Sequence, residues 1–557
     1  MMIVNKAGLV LLIACTLMAE VACAPLNAMK FVPGMLEYAS ITTDPVAPFV
    51  QHAGAETLPH QYLVALKPGV TTNHFVFHHE RISEAQSESN VFHALENSAE
   101  HGVRHVYDLG QEVLGYAGSF SEDVLAYIRA QPEVEMVERD QVVRAAVLPQ
   151  GNERVTEMRK ASSPTMLGLP LPPWLNPYRH QTETNAPWGL ARLSHRASLS
   201  LGTFNKYVYE AVSGEGVTAY VIDTGIYTQH EDFQGRARWG KTIPQNDVDA
   251  DQHGHGTHCA GTIGSATYGV AKKAKLVAVK VLGSGGQGSM SDVTAGVLWA
   301  VADAQRLSAE YASHPHTLDA QKHRGFVASM SLGGSKSAIL DRAVNGAVES
   351  GMHFAVAAGN ENQDACNVSP ASASAPITVG ASTIADERAY FSNIGRCVDI
   401  FGPGLNVLST WNTGKLALNT MSGTSMATPH IAGLMAYLLS IYGSGDFALL
   451  NSDQNAQHQA LAMQAQNHAV RAWAVQSLSA LHAFLPAMLR PAWDLWLPSV
   501  ETMTATGRAP SSIQSTLTPK ELRKALTKFA SKDVLSKLDR ETVNLLAYNN
   551  ATTTQST

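Results

Sequence analysis

From about residue 184 onward, short and nearly continuous apolar runs recur between polar loops. They are Val217 to Ile222, Leu276 to Leu282, Phe326 to Met330, His353 to Ala358 and Ile377 to Val379. A strand that is apolar at almost every position has no face to offer to water, so both of its sides must be covered. Helical stretches lie between several of the runs, as in Asp292 to Ala304 and Ala338 to Glu349. Strands alternating with helices predict an α/β domain with a doubly wound, mostly parallel sheet. In such sheets functional residues gather beyond the carboxyl ends of the strands, and several of these ends carry polar residues.

The 557 residues are too many for one ordinary core, and a second unit precedes the sheet. Residues 61–145 read as a small α+β domain. Gln61 to Leu66 is a strand stopped by Lys67-Pro68-Gly69, and Ile82 to Leu95 has helical periodicity. Val113 to Phe120 is a second strand, Ser121 opens a helix that runs through Ile128, and Val134 to Glu138 alternates as a half-buried strand does. Residues 146–183 are rich in Pro, Ser and polar residues and read as an exposed linker that contains a processing site.

At the amino end, Lys6, the apolar run Ala7 to Ala19 and the small residues Ala22-Cys23-Ala24 make residues 1–24 a secretory leader. The run is too short to span a bilayer, so no transmembrane segment is expected. Loss of the leader removes Cys15 and Cys23 and leaves Cys259, Cys366 and Cys397 in an oxidising route. Five cysteines are too few for a disulfide scaffold, and a net charge of −7 argues against nucleic acid as a partner.

Three motifs carry chemistry. Val221-Ile222-Asp223-Thr224-Gly225 sets a carboxylate at the end of a buried strand. His255-Gly256-Thr257-His258-Cys259-Ala260-Gly261-Thr262 supplies imidazoles, and Ser422-Gly423-Thr424-Ser425-Met426-Ala427-Thr428-Pro429-His430 runs into an apolar helix. A serine hydroxyl is a weak nucleophile that needs a neighbouring base. His253, His255 and His258 all compete for that role, and their spacing also allows a zinc site. A Gly-x-Ser-x-Gly elbow, as in other serine hydrolases, is missing around Ser425.

Together, and in the order Asp, His, Ser, these motifs resemble those of the subtilisin-like serine proteases; unrelated folds that carry the same triad place it in other orders along the chain. The resemblance covers 184–445 and 513–550, and runs to the proteinase K-like and fungal vacuolar members through Asn185 to Arg192, Phe401 to Gly404, Val407 to Trp411 and Thr542 to Tyr548. It implies a catalytic domain over 184–550, preceded by a ferredoxin-like inhibitory prodomain at 61–145, and a monomeric zymogen of the secretory route, extracellular or vacuolar. It implies Asp223, His255 and Ser425 as the triad and Asn360 of Ala357-Ala358-Gly359-Asn360 as oxyanion donor. It also implies Gly286, Gln287 and Gly288 as one substrate-pairing edge, with Ser331, Leu332 and Gly333 facing Ala357, Ala358 and Gly359 across the primary pocket. No Asp or Glu occupies those pocket positions, so broad endopeptidase action on apolar or aromatic residues of protein and peptide substrates is expected. No cofactor is implied for catalysis. The resemblance further implies a disulfide between Cys366 and Cys397 with Cys259 free, and a structural calcium held by the carbonyls of Ser374 and Pro376 and the carboxylate of Asp399.

Residues 446–512 depart from the pattern. Val470 to Leu489 is apolar but contains Arg471, Gln476, His482 and Pro486, which suits an interfacial helix or a packed surface insertion better than a spanning one. Thr518-Pro519-Lys520-Glu521 then gives a capping box and reopens the pattern.

Overall fold

The computed structural model describes residues 46–92, 102–110, 112–148, 156–157, 180–442 and 517–552. The expected leader, the 446–512 insertion and most of the 146–183 linker lie outside the described residues.

The first unit has strands β1 (Thr57–Leu66), β2 (Gly102–Asp108), β3 (Leu114–Ser119) and β4 (Val134–Ala145), with helices α1 (Thr72–Phe92) and α2 (Glu122–Arg129). The antiparallel order β4-β1-β3-β2 gives the ferredoxin-like arrangement expected. Its sheet is apolar on both sides for a physical reason. Tyr62, Val64 and Leu66 turn to the unit's own helices and pack on Ile82, Val124 and Ile128. Leu63 and Ala65, one residue out of phase, join the core of the second unit.

Three readings of this unit change. α1 begins at Thr72 rather than Ile82, because its inward face carries buried His78, bonded to Glu133 (2.7 Å) and to the Tyr116 hydroxyl (2.9 Å), where an apolar stripe would be sought. β2 escapes the sequence pattern because its polar residues are used in contacts: His105 Nε2–H donates to Asp292 (2.7 Å) and the Tyr107 hydroxyl to Ser291 O (2.9 Å). β4 runs on past Glu138 to Ala145.

The second unit carries the parallel sheet. Its strands are β5 (Val217–Asp223), β6 (Ala237–Thr242), β7 (Lys275–Lys280), β9 (Gly325–Met330), β11 (His353–Ala357), β12 (Ile377–Ser382), β13 (Ile400–Pro403), β14 (Ser531–Lys532) and β15 (Leu545–Leu546). Two further short strands, β8 (Gln287–Ser289) and β10 (Leu332–Ser335), pair with the first unit. The order is β6-β7-β5-β9-β11-β12-β13-β15-β14, parallel throughout except for the terminal pair β15–β14. Helices α3 (His255–Gly264) and α6 (Thr424–Ile441) cover one face; α4 (Met290–Ser313) and α5 (Ala338–Glu349) cover the other. Alternate residues of β5 serve the two layers: Val217, Ala219 and Val221 pack towards α3 and α6, Tyr220 and Ile222 towards α4. Every residue of α6 is buried, which explains why its sequence is apolar all round. α7 (Pro519–Phe529) opens with the expected capping box, the Thr518 hydroxyl and Glu521 carboxylate each bonding the other's backbone. No helix among the described residues is long and apolar enough to cross a membrane.

Burial also sets an acid limit. His258, His353 and His430 lie in the core, and desolvation lowers their pKa values from 6.5 to about 3, about 4 and about 4. The unfolded chain takes up protons on these rings below about pH 6.5, whereas the folded chain refuses them until much lower pH. The stability is therefore whole above about pH 6.5 and is lost as pH falls, by about 1.4 kcal/mol per pH unit for each ring. The buried carboxyls Asp140 and Glu138, whose pKa values are raised, act in the opposite sense, so the urea midpoint should fall between neutral pH and about pH 4 less steeply than the three rings alone dictate; a midpoint that rises as pH falls across that range would contradict the assignment.

Candidate active site

Asp223 ends β5, the strand flanked by β7 and β9, and its carboxylate is fully buried. His255 is the first residue of α3, and its Nδ1–H donates to Asp223 Oδ1 at 2.7 Å. The turn that brings the ring there depends on Gly254, at φ +101°, where a Cβ would lie 2.6 Å from the Trp411 ring. Ser425 is the second residue of α6. Its hydroxyl donates to Ser331 O (2.8 Å), and His255 Nε2 is buried with no hydrogen-bond partner among the described residues. The Asp–His half of the expected triad is thus assembled, while the serine hydroxyl is turned to a carbonyl.

The cleft beside Ser425 is filled by the chain itself. β4 enters it as the middle strand of three, antiparallel to both neighbours: Gln287 and Gly288 of β8 stand opposite Arg144 and Val143, and Leu332 and Gly333 of β10 opposite Ala145 and Arg144. At the end of the strand and beyond it, Ala145 N–H donates to Gly286 O, Ala146 N–H to Ser331 O and Leu148 N–H to Ser422 O, each at 3.0 Å. The Ala146 carbonyl oxygen accepts from Ser425 N–H at 3.1 Å. A Cβ on Gly423 would sit 2.5 Å from that oxygen, so only glycine admits it, and the same point lies 3.4 Å from Asn360 Nδ2. Thr424 N–H and its hydroxyl both donate to Asn360 Oδ1 (2.9 Å each), which fixes the amide and turns its Nδ2 end away from Thr424. The Thr424 hydroxyl also accepts from Gly359 N–H (3.2 Å), tying the Ala357–Gly359 wall to the start of α6.

Carboxylates of β4 cap two helices of the parallel-sheet unit. Asp140 accepts from Ser291 N–H (3.2 Å) and hydroxyl (2.5 Å) at the start of α4. Glu138 accepts from the Ser337 hydroxyl (2.5 Å), Ala338 N–H (2.8 Å) and Ile339 N–H (3.2 Å) at the start of α5. Negative charge at helix starts is favourable, but burial outweighs it. Desolvation pushes the Asp140 carboxyl up to about 6 and raises that of Glu138 as well.

Comparison with known proteins decides the family. The profile of the Subtilase family matches residues 214–483, and that of Peptidase inhibitor I9 matches residues 61–146. The subtilisin-like serine protease Pen c 2 of Penicillium citrinum is 50% identical over 410 residues, which span 72% of this chain and 82% of the relative. The chain belongs to the subtilase family. It is a serine endopeptidase with an I9-type prodomain, the class of chain that inhibits its own protease. Alkaline protease 2 of Aspergillus fumigatus is 47% identical over 439 residues, 76% of this chain and 80% of the relative. A solved cold adapted subtilisin-like serine proteinase is 36% identical, covering 66% of this chain and 99% of its own, with a TM-score of 0.46.

In this subtilase the three histidines do not converge as a zinc site would require. His258 Nε2–H donates to the carbonyls of Val407 (3.0 Å) and Asn419 (3.1 Å), and His253 stands edge-on to His255. Among the described residues, the metal-ligand types whose atoms lie within 4.8 Å of one another are Asp223, His255 and Cys259. Cys259 is buried and free, and burial holds its thiol protonated, well above the usual range. Cys366 and Cys397 are joined as a disulfide. The oxygens expected around calcium do converge, but on a side chain. Arg523 donates to Asp399 Oδ1 (2.7 Å), Ser374 O (3.2 Å), Ala375 O (3.1 Å) and Pro376 O, so its guanidinium stands where the ion was expected and the residues present do not fit calcium.

Sequence reasoning missed the groups that brace the site. Asp251 is buried and accepts from the Thr224 hydroxyl (2.9 Å), His253 N–H (3.1 Å), Gly254 N–H (2.8 Å), Thr257 N–H (2.9 Å) and the Thr257 hydroxyl (2.5 Å). It thereby caps α3 and ties it to the residue after Asp223. Asp251→Asn should cost about 2–4 kcal/mol of stability, because buried donors lose their acceptor. It should lower kcat about tenfold with KM little changed, because the pairing strands are untouched. Urea unfolding and steady-state peptide hydrolysis measure the two; wild-type values for both would show that α3 keeps its place without Asp251.

Proposed function

We propose that this subtilase is a monomeric secretory zymogen, extracellular or vacuolar in its final compartment, and that its first substrate is its own Ala146–Val147 bond. Asp223, His255 and Ser425 carry the chemistry, and Asn360 with the Ser425 N–H receives the oxyanion. One observation carries the reading: the Ala146 carbonyl oxygen accepts from Ser425 N–H while the chain on either side is paired like a bound peptide. The leader-like residues and the disulfide support an oxidising route.

The reaction follows from these groups. Rotation about the Ser425 Cα–Cβ bond hands the hydroxyl from Ser331 O to His255 Nε2, which takes its proton as Oγ bonds to the Ala146 carbonyl carbon. The carbonyl electron pair moves onto oxygen and is held by the Ser425 N–H and the Asn360 amide, donors placed before reaction begins. Asp223 keeps the imidazole oriented and stabilises it when charged. The C–N bond then breaks, His255 returns the proton to the Val147 nitrogen, and water releases the acyl group from Ser425 by the same steps. Catalysis needs no cofactor. Backbone pairing by β8 and β10 reads an extended peptide with little demand on its side chains. The wall residues Ser331–Gly333 and Ala357–Gly359 carry no carboxylate of their own, and the Glu361 carboxylate beside Gly359 is engaged by the Asn393 amide (2.8 Å), which favours broad cleavage after apolar or aromatic residues.

Ser425→Ala should fold and remain uncut between the two units, while wild type should release a first product whose amino terminus is Val147. Asn360→Ala should still process, about 10²- to 10³-fold more slowly, because the nucleophile remains and one oxyanion donor is gone. Expression in a host lacking vacuolar proteases, followed by gel analysis and amino-terminal sequencing, reads all three. A Ser425→Ala chain cut normally would assign the cut to another protease, and normal peptidase activity of that purified variant would remove Ser425 as the nucleophile.

A further inference from the structure

The cluster around Arg523 has an assignment of its own. Three successive carbonyls, Ser374 to Pro376, and one oxygen of Asp399 point at a single guanidinium. The second Asp399 oxygen accepts from Thr378 N–H (2.9 Å), and Asp399 N–H returns a bond to Thr378 O (2.9 Å). Asn345 of α5 fixes the carbonyl segment by accepting from Ala375 N–H (2.8 Å). Carbonyls and a carboxylate gathered in this way are the hard oxygen donors that a divalent cation such as calcium selects. Oxygen atoms turned towards one another repel, and something positive must sit between them.

We propose that Arg523 is that positive charge, a built-in substitute for a structural metal ion. A guanidinium is charged at every working pH; its Nη1 meets Asp399, and its Nη2 lies among the three carbonyls, which share that nitrogen's two N–H bonds. The site matters because of its place in the chain. Pro376 leads straight into β12, whose Ile377, Thr378 and Val379 pair with Ala355, Val356 and Ala357 of β11. Ala358 N–H then donates to Val379 O (3.0 Å), so the clamp lies one strand behind the Ala357–Gly359 wall. Arg523 arrives on α7, which the capping box at Thr518 starts afresh after residues 443–516. The cation is therefore covalently part of the enzyme and cannot be removed by a chelator.

Removing the guanidinium should uncover the latent ion site. The test uses the full chain with Ser425→Ala, so that self-digestion does not confuse the melting curves and no activity is read. In EGTA, adding Arg523→Ala should lower the melting temperature by about 5 °C, as expected when a charged, partly buried pair loses one member. Millimolar calcium chloride should then raise the melting temperature of Arg523→Ala by more than it raises that of the parent. This excess should vanish when Asp399→Asn is added. Arg523→Lys, which keeps a cation, should lose less in EGTA and gain no excess from calcium; Arg523→Gln carries the comparison if the alanine variant folds only with calcium present. The proposal is overturned if Arg523→Ala melts like its parent in EGTA, if calcium gives no excess stabilisation, or if the excess survives Asp399→Asn.

Discussion

A carboxylate with no exposure, Asp223, sits at the end of a central strand and dictates what surrounds it. An unpaired charge buried this deeply would cost several kcal/mol or would simply be neutralised. Its Oδ1 accepts from Thr224 N–H (2.7 Å) and from His255 Nδ1–H, so the strand end and the start of α3 must meet at that atom. Lys280, paired in register with Asp223, is itself fully buried and donates to Thr224 O (3.1 Å) and Ala250 O (3.2 Å). It anchors the loop that delivers Asp251. The parallel sheet is thus more than a scaffold: two neighbouring strand ends bring Asp223 and Lys280 together in the interior, and the loop that Lys280 anchors adds Asp251.

The same rule recurs where segments join. Glu138 and Asp140 leave water only because helix starts and serines receive them, and Arg342 forms a two-bond pair with Glu135 (2.5 and 2.6 Å) beside them. These groups, with Leu63, Ala65 and Val143 in the shared core, bind the two units over a face that combines apolar packing with matched polar ends. Each of these bonds can form only when the two units meet in this one orientation. Here orientation is what counts, since it aims the end of β4 at Ser425.

Where a residue's burial is answered by its neighbours in sequence, the sequence was readable. The continuous runs of β5, β7, β9, β11 and β12 report two covered faces directly, and the three motifs sit at strand or helix ends where small and polar residues interrupt those runs. The capping box at Thr518 is local by nature and was legible for that reason. What stayed hidden depends on partners far along the chain. His78 looks like a surface residue until Glu133 and Tyr116 are seen beside it. Glu138 and Asp140 look like solvated charges of a half-exposed strand, because the helices they cap begin some 150 to 200 positions later. Arg523 reads as an exposed helix cation, and the oxygens it collects lie 124 to 149 positions away. Periodicity reports which face is covered and says nothing of which distant charge covers it.

The linker that joins the two units has a thermodynamic meaning beyond connection. While Ala146 and Val147 remain bonded, β4 is tethered to the cleft it fills, and occupancy is an intramolecular equilibrium governed by an effective concentration rather than by the amount of protein present. Breaking that one bond changes no contact upstream of Ala146, yet it turns occupancy into a bimolecular equilibrium. From then on the fraction of free clefts is set by mass action. A higher protein concentration would favour a severed β4 staying in place, and dilution would favour its release. Were that bond cut, the volume around the protein would enter the equilibrium directly, a variable to which the uncut chain is indifferent.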